Sequence, residues 1–132
     1  MRIPRNLIDQ IVAHARETAP EECCGVLTGS GRDATHAERA ENEFAHRMRY
    51  RIAPDELYRL TMLASERGED VIATYHSHPR SEAYPSQTDI NEVRNWDESL
   101  HLICSLEDPD APVVRAFLIR GPDVEELELD HG

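Results

Sequence analysis

A chain of 132 residues can bury one core without needing disulfides or a structural metal, so a single domain spanning residues 1–132 is expected. The 26 acidic against 14 basic residues leave a formal net charge of −12, which excludes a general attraction to phosphate backbones and makes nucleic acid an unexpected partner. No apolar run approaches the ~18 residues of a membrane span, and the start MRIPRNLIDQ enters an amphipathic pattern directly, so a cytoplasmic protein with no membrane association is expected.

In chain order, Leu7, Ile8, Ile11, Val12 and Ala15 fall on one face of a helix that starts near Pro4 and stops before Pro20. CCGVLTGSG reads as a strand ending in a Gly/Ser turn, DATHAERAENE as a more polar strand toward the edge of the sheet, and MRYRI as a further short strand. A second helix begins at Pro54, carries Leu57, Leu60, Thr61 and Ala64 on one face, and ends at Gly68. DVIATYHSHP is strongly apolar and reads as a central strand. A short helix from about Ser86 to Trp96 follows, and then three closing strands in SLHLICSL, PVVRAFLIR and DVEELELD. This order predicts an α/β fold, a mixed sheet with helices packed against it. All the basic residues are arginine, which is compatible either with a GC-rich genome or with a salt-accumulating cytoplasm in which a carboxylate surface stays hydrated.

The chemistry concentrates in HSHPRSEAYPSQTD, residues 76–89. His76 and His78 stand two apart on a strand, so both imidazoles share one face at its C-terminal end, and Pro79 ends the strand. SQTD has the form of a helix N-cap followed three residues later by an acidic group, and taken alone it is a common capping arrangement. Two histidines at a strand end and Asp89 in the first turn of the next helix can nevertheless converge as a three-ligand set. Two nitrogens and a carboxylate suit Zn²⁺ and leave a fourth position open, the pattern of a catalytic site.

The spacing H-S-H-P, six residues, S, two residues, D resembles the signature of the JAB1/MPN/Mov34 (JAMM) zinc metallopeptidases, and APEECCGVLTG is similar to that family's first motif, a glutamate three positions before a glycine. The resemblance implies an MPN fold, similar in outline to the cytidine deaminases, although the H-x-E and P-C-x-x-C patterns of a deaminase are absent. It further implies one Zn²⁺ per chain held by His76, His78 and Asp89, with Glu22 as general base and Ser86 as donor to the tetrahedral intermediate. The register to Gly25 selects Glu22 over Glu21. Ser77 is expected on the opposite face of its strand, and the adjacent Cys23 and Cys24 as reduced, buried residues rather than nucleophiles. His14, His36, His46, His101 and His131 fit no ligand pattern.

The implied substrate is a small ubiquitin-like or sulfur-carrier protein, recognised by a C-terminal Gly-Gly tail added as a strand beside a sheet edge. Cleavage would free either an isopeptide-linked target or a single amino acid such as cysteine. A non-catalytic MPN scaffold and a RadC-like module are the alternatives; the first is disfavoured by the presence of all five motif positions and the second by the acidic charge. Oligomeric state is not legible.

Overall fold

The computed structural model describes residues 1–46, 49–93 and 99–132. Helix α1, Arg5–Thr18, turns Leu7, Ile8, Ile11 and Ala15 into one core, the face that its apolar spacing predicts. Strands β1, Cys24–Ser30, and β2, Asp33–Ala40, follow as a hairpin. Helix α2, Pro54–Glu66, places Pro54 in its first turn and buries Leu60 and Ala64. Thr61, expected on that inward face, is exposed instead, and its hydroxyl donates to the Leu57 carbonyl oxygen one turn back at 2.8 Å. Then come β3, Asp70–His78; α3, Gln87–Val93; β4, Ser99–Ser105; β5, Val113–Arg120; and β6, Asp123–Leu127. The expected extension of α3 to Trp96 lies outside the described residues. No helix of the structure is long and apolar enough to cross a membrane among those described.

The six strands form one mixed sheet in the order β2-β1-β3-β4-β5-β6. Among the strands of the described residues only β3 and β4 run parallel to each other, and α3 lies in the connection between them. Ala73, Tyr75, Leu102 and Cys104 face the α1 side, while Cys24, Val26 and Leu60 form a second cluster with Leu57 and Val71 on the α2 side. Covered on both faces, β1 is buried along nearly its whole length, which accounts for its unalternating apolar sequence.

The strand expected at MRYRI is not formed over residues 49–52, and Met48 lies outside the described residues. The Asn42 side chain takes two of that segment's hydrogen bonds, Nδ2 donating to the Arg49 carbonyl and Oδ1 accepting from the Arg51 N–H, and the Arg51 carbonyl accepts from the Glu43 N–H. A backbone bound to a side chain in this way does not form a ladder.

Candidate metal centre

In sheets with parallel strands, sites form outside the strands' carboxyl ends. His76 and His78 occupy that end of β3, and because the side-chain period of a strand is two they share a face. The β1–β3 register brings the glutamate motif to them. Cys24 pairs with His76, and the Ser77 N–H donates to the Cys23 carbonyl, so stepping two residues outward sets Glu22 opposite His78. Glu22 is buried and Glu21 is exposed. Ser77 faces the other way, as expected, and its Oγ accepts from the Cys23 N–H at 2.8 Å.

Asp89, in the first turn of α3, completes the convergence. Its Oδ2 lies 3.1 Å from both His76 Nε2 and His78 Nε2, and the two nitrogens are 3.2 Å apart. Tetrahedral Zn²⁺ with bonds of about 2.0–2.1 Å requires ligand atoms roughly 3.3–3.4 Å apart, so the three atoms fit such a shell with little adjustment. The donor set fits as well. His78 Nδ1 meets the Glu82 carbonyl oxygen at 2.8 Å. A carbonyl only accepts, so Nδ1 carries a proton; protonated His78 also donates from Nε2 to Asp89, and loss of that second proton would leave an Nε2 lone pair free for a cation. Ligand atoms of Glu22, His76 and His78 also lie within 4.8 Å of one another, which puts Glu22 at the rim of the same centre.

Two buried side-chain atoms, Glu22 Oε1 and His76 Nδ1, have no hydrogen-bond partner among the described residues. Burial pushes the Glu22 carboxyl up to about 8, with His78 opposing and Asp89 adding to the rise. Burial also drives His76 below the usual histidine range despite Asp89. For His78 burial acts in the same direction, but bonds to Asp89 and to the Glu82 carbonyl outweigh it and raise the pKa. Asp89 is held well below the carboxylate range: burial favours its neutral form, and hydrogen bonds from His76, His78 and the Ser86 N–H overcome that.

Ser86 caps α3 and also borders the cleft. Its Oγ accepts from the Asp89 N–H at 3.1 Å, and its own N–H donates to Asp89 Oδ2 at 2.9 Å, the reciprocal arrangement of a capping box. Because Oγ is an acceptor there, its one proton remains available to a group in the adjoining cleft of about 360 Å³, which Glu22, His78, Arg80 and Ser86 line. The loop leading to Ser86 is pinned by Ala83, buried with Ile103 and Phe117, and by the Ser105 hydroxyl, which donates to the Ser81 carbonyl.

The remaining candidates stand apart. Cys23 and Cys24 are free thiols that burial pushes up to about 11 and about 12, so they are neutral and poor nucleophiles. His14 bonds the Tyr75 hydroxyl, His101 bonds Thr74 and Ser99, and His36 bonds Glu69. Sequence reasoning missed Tyr50, whose ring stacks on His76, and Asn42, whose amide bonds the Glu22 carbonyl. Neither falls in a recognisable motif or periodic pattern.

A buried carboxyl group beside two imidazoles and an aspartate, with Glu22 and His78 lining a cleft, is the equipment of a metal-dependent hydrolase. Over residues 4–120 the chain matches the family model described as prokaryotic homologs of the JAB domain, and it belongs to that family. It is 39% identical over 128 residues to a desampylase of Haloferax volcanii, covering 92% of this chain and 88% of that protein. It is 31% identical over 128 residues to the CysO-cysteine peptidase of Mycobacterium tuberculosis, covering 94% and 86% respectively. The fold is shared with a JAB1/MPN domain protein from Archaeoglobus fulgidus at a TM-score of 0.64 and 22% identity, over 98% of this chain and 97% of that one.

Proposed function

We propose that the chain is a single-domain, cytoplasmic zinc metallopeptidase that hydrolyses the bond after the C-terminal glycine of a small ubiquitin-like or sulfur-carrier protein. The observation that carries this reading is the meeting of His76 Nε2, His78 Nε2 and Asp89 Oδ2 within 3.2 Å beside a buried Glu22 oxygen that has no partner among the described residues. His76, His78 and Asp89 would hold the zinc, which when bound supplies Lewis acidity, lowering the pKa of a water and polarising the scissile carbonyl.

The chain's own residues do the rest. Ionised Glu22, the form that a neighbouring divalent cation would favour, accepts a proton at Oε1 from the attacking water and returns it to the leaving amine, a role worth roughly 10²–10⁴-fold. The Ser86 hydroxyl donates to the oxygen on which charge develops at the attacked carbon. Pro79 and Arg80 line the cleft beside Glu22, His78 and Ser86, and we place the carrier's extended tail along it. β3 has β1 on one side and β4 on the other, and the free sheet edges belong to β2 and β6. The tail we propose would not pair with the histidine strand; addition at a sheet edge, as the sequence led us to expect, would use β2 or β6.

The first test is metal content. Purified chain should carry about one zinc, lost in His76→Ala; a chain that binds none at neutral pH overturns the reading. Glu22→Gln should abolish cleavage with zinc retained while Glu21→Gln keeps most activity, and equal losses would mean that the wrong glutamate is assigned. Offering a lysine isopeptide conjugate and a single-cysteine adduct of the same carrier separates deconjugation from amino-acid release, the two activities named for its relatives.

A further inference from the structure

The two histidines of the centre are oriented by different devices. His78 donates Nδ1–H to the Glu82 carbonyl, the usual way in which a ligating imidazole is fixed. His76 is fully buried and its Nδ1 has no partner among the described residues, so its only polar contacts are those of Nε2 with Asp89 and His78, and nothing polar holds the far side of the ring. The Tyr50 ring instead lies against it, with centroids 4.3 Å apart and planes 17° from parallel. The Tyr50 ring packs among Cys24, Val26 and Leu60, on the face of β3 that carries His76.

Tyr50 is in turn held from both sides. Asn42 Nδ2 donates to the Arg49 carbonyl at 2.9 Å and to the Glu22 carbonyl at 3.0 Å, while Oδ1 accepts from the Phe44 and Arg51 N–H groups at 3.1 Å. One amide, with both donor hydrogens and both lone pairs used, thus ties the main chain on either side of Tyr50 to the main chain of Glu22. The Glu22 N–H also donates to the His46 carbonyl at 2.8 Å, so the same loop grips Glu22 at both its backbone groups.

We propose that Tyr50 and Asn42 are positioning residues of the metal centre: Tyr50 sets the ring plane of His76 by stacking, and Asn42 holds Tyr50 and Glu22 in one frame. This rests on the metallopeptidase reading. The device explains how a ligand histidine keeps its aim without the usual acceptor at its second nitrogen. It also explains why a segment without secondary structure is fastened to the residue just before β1.

The test uses metal-free full-length chain, zinc competition against a chromophoric chelator, and long-range ¹⁵N–¹H spectra of the imidazoles. Tyr50→Phe keeps the ring and should bind zinc within about threefold of the parent, whereas Tyr50→Met, similar in bulk but without a ring, should weaken binding by roughly 10–100-fold and shift the His76 signals alone among the ligands. Asn42→Asp keeps the acceptor but loses both donors, and it should lower kcat by about tenfold or more with KM little changed, a loss of the size seen when a supporting residue of a site is removed. Should Tyr50→Met fail to fold, the Asn42→Asp split between kcat and KM stands as the independent test. Zinc affinity and His76 signals unchanged in Tyr50→Met, with only a lower melting temperature, would make Tyr50 a packing residue and overturn the proposal. A parent chain that binds no zinc would instead defeat the metallopeptidase reading itself.

Discussion

Ser86 is both a helix cap and a candidate catalytic donor, and the structure separates the two roles in energy. Ser86→Ala removes the Oγ acceptor of the Asp89 N–H bond but leaves the Ser86 N–H to Asp89 Oδ2 bond, which is made by the main chain. Asp89 therefore keeps one of its anchors, and zinc content should be unchanged. Loss of the cap costs about 1 kcal/mol. With an unfolding entropy of about 2.1 cal/mol/K per residue, a 132-residue chain loses about 3–4 °C in Tm for that amount. Loss of an oxyanion donor costs about 2.7–4 kcal/mol in the transition state, roughly 10²–10³ in kcat. Ser86→Gly sharpens the comparison, because glycine caps within a few tenths of a kcal/mol of serine yet has no hydroxyl. Both variants should show near-full zinc, small Tm changes and a hundredfold or greater loss of turnover on a carrier-protein conjugate. Turnover within about threefold of the parent in both would reduce Ser86 to a cap, since a lost donor should cost far more. Loss of zinc in step with activity would show that Ser86 acts only through Asp89.

A methyl group at Gly25 would collide with the Tyr75 ring and the Glu38 carbonyl, so Gly25→Ala should destabilise the fold by about 1–3 kcal/mol or more, measured by urea denaturation; a neutral effect would mean that β1 moves freely against β3. Burial lowers the His14 pKa to about 4 from 6.5, with Arg39 assisting, so below pH 6.5 the unfolded chain binds a proton that the folded chain refuses. Stability present at pH 7 is then lost as the pH falls toward 4, by up to about 3 kcal/mol from this residue, and His14→Gln should flatten the dependence of Tm on pH over that interval; an unchanged slope would refute the assignment. With 26 acidic residues and no lysine, screening should raise Tm between about 0.05 and 2 M KCl, because half-exposed arginine pairs such as Arg51–Glu43 lose at most about 1 kcal/mol each in the same salt. A neutral osmolyte serves as the control for salting-out, and a flat or falling Tm in KCl would leave the arginine bias to genome composition.

Much of the fold was legible because its signals are local. Pro4 and Pro20 bracket α1, Pro54 starts α2, and the apolar run before His76 marks the strand that becomes the third of six. The convergence of His76, His78 and Asp89 was legible for the same reason, since they lie within fourteen residues of one another and their geometry follows from one strand end and one helix start. Asn42 and Tyr50 were not legible. The roles proposed for them rest on contacts with Glu22 and His76 made across a segment with no periodicity. The same contacts explain the failed strand at MRYRI: residues 49–52 look extended and β-prone, but the Asn42 side chain claims two of the hydrogen bonds that a neighbouring strand would need.

What joins the two halves of the centre is the register of β1 on β3. Glu22 meets the histidines only because Cys24 lies opposite His76, and a slip of one residue would turn the glutamate to the α1 side of the sheet. Two features guard against that slip. Gly25 stands opposite Tyr75 and makes room for its ring, and Tyr75 is held by a 2.6 Å hydrogen bond from its hydroxyl to His14 on α1. Ser77 bonds both backbone groups of Cys23, through its N–H in the sheet and through its Oγ on the face away from His76 and His78. The glycine of the glutamate motif thus serves the chemistry without touching it, since it fixes which glutamate arrives. Residues between and behind the ligands do the same for the histidines: Ser77 locks the pairing, and Tyr50 backs His76.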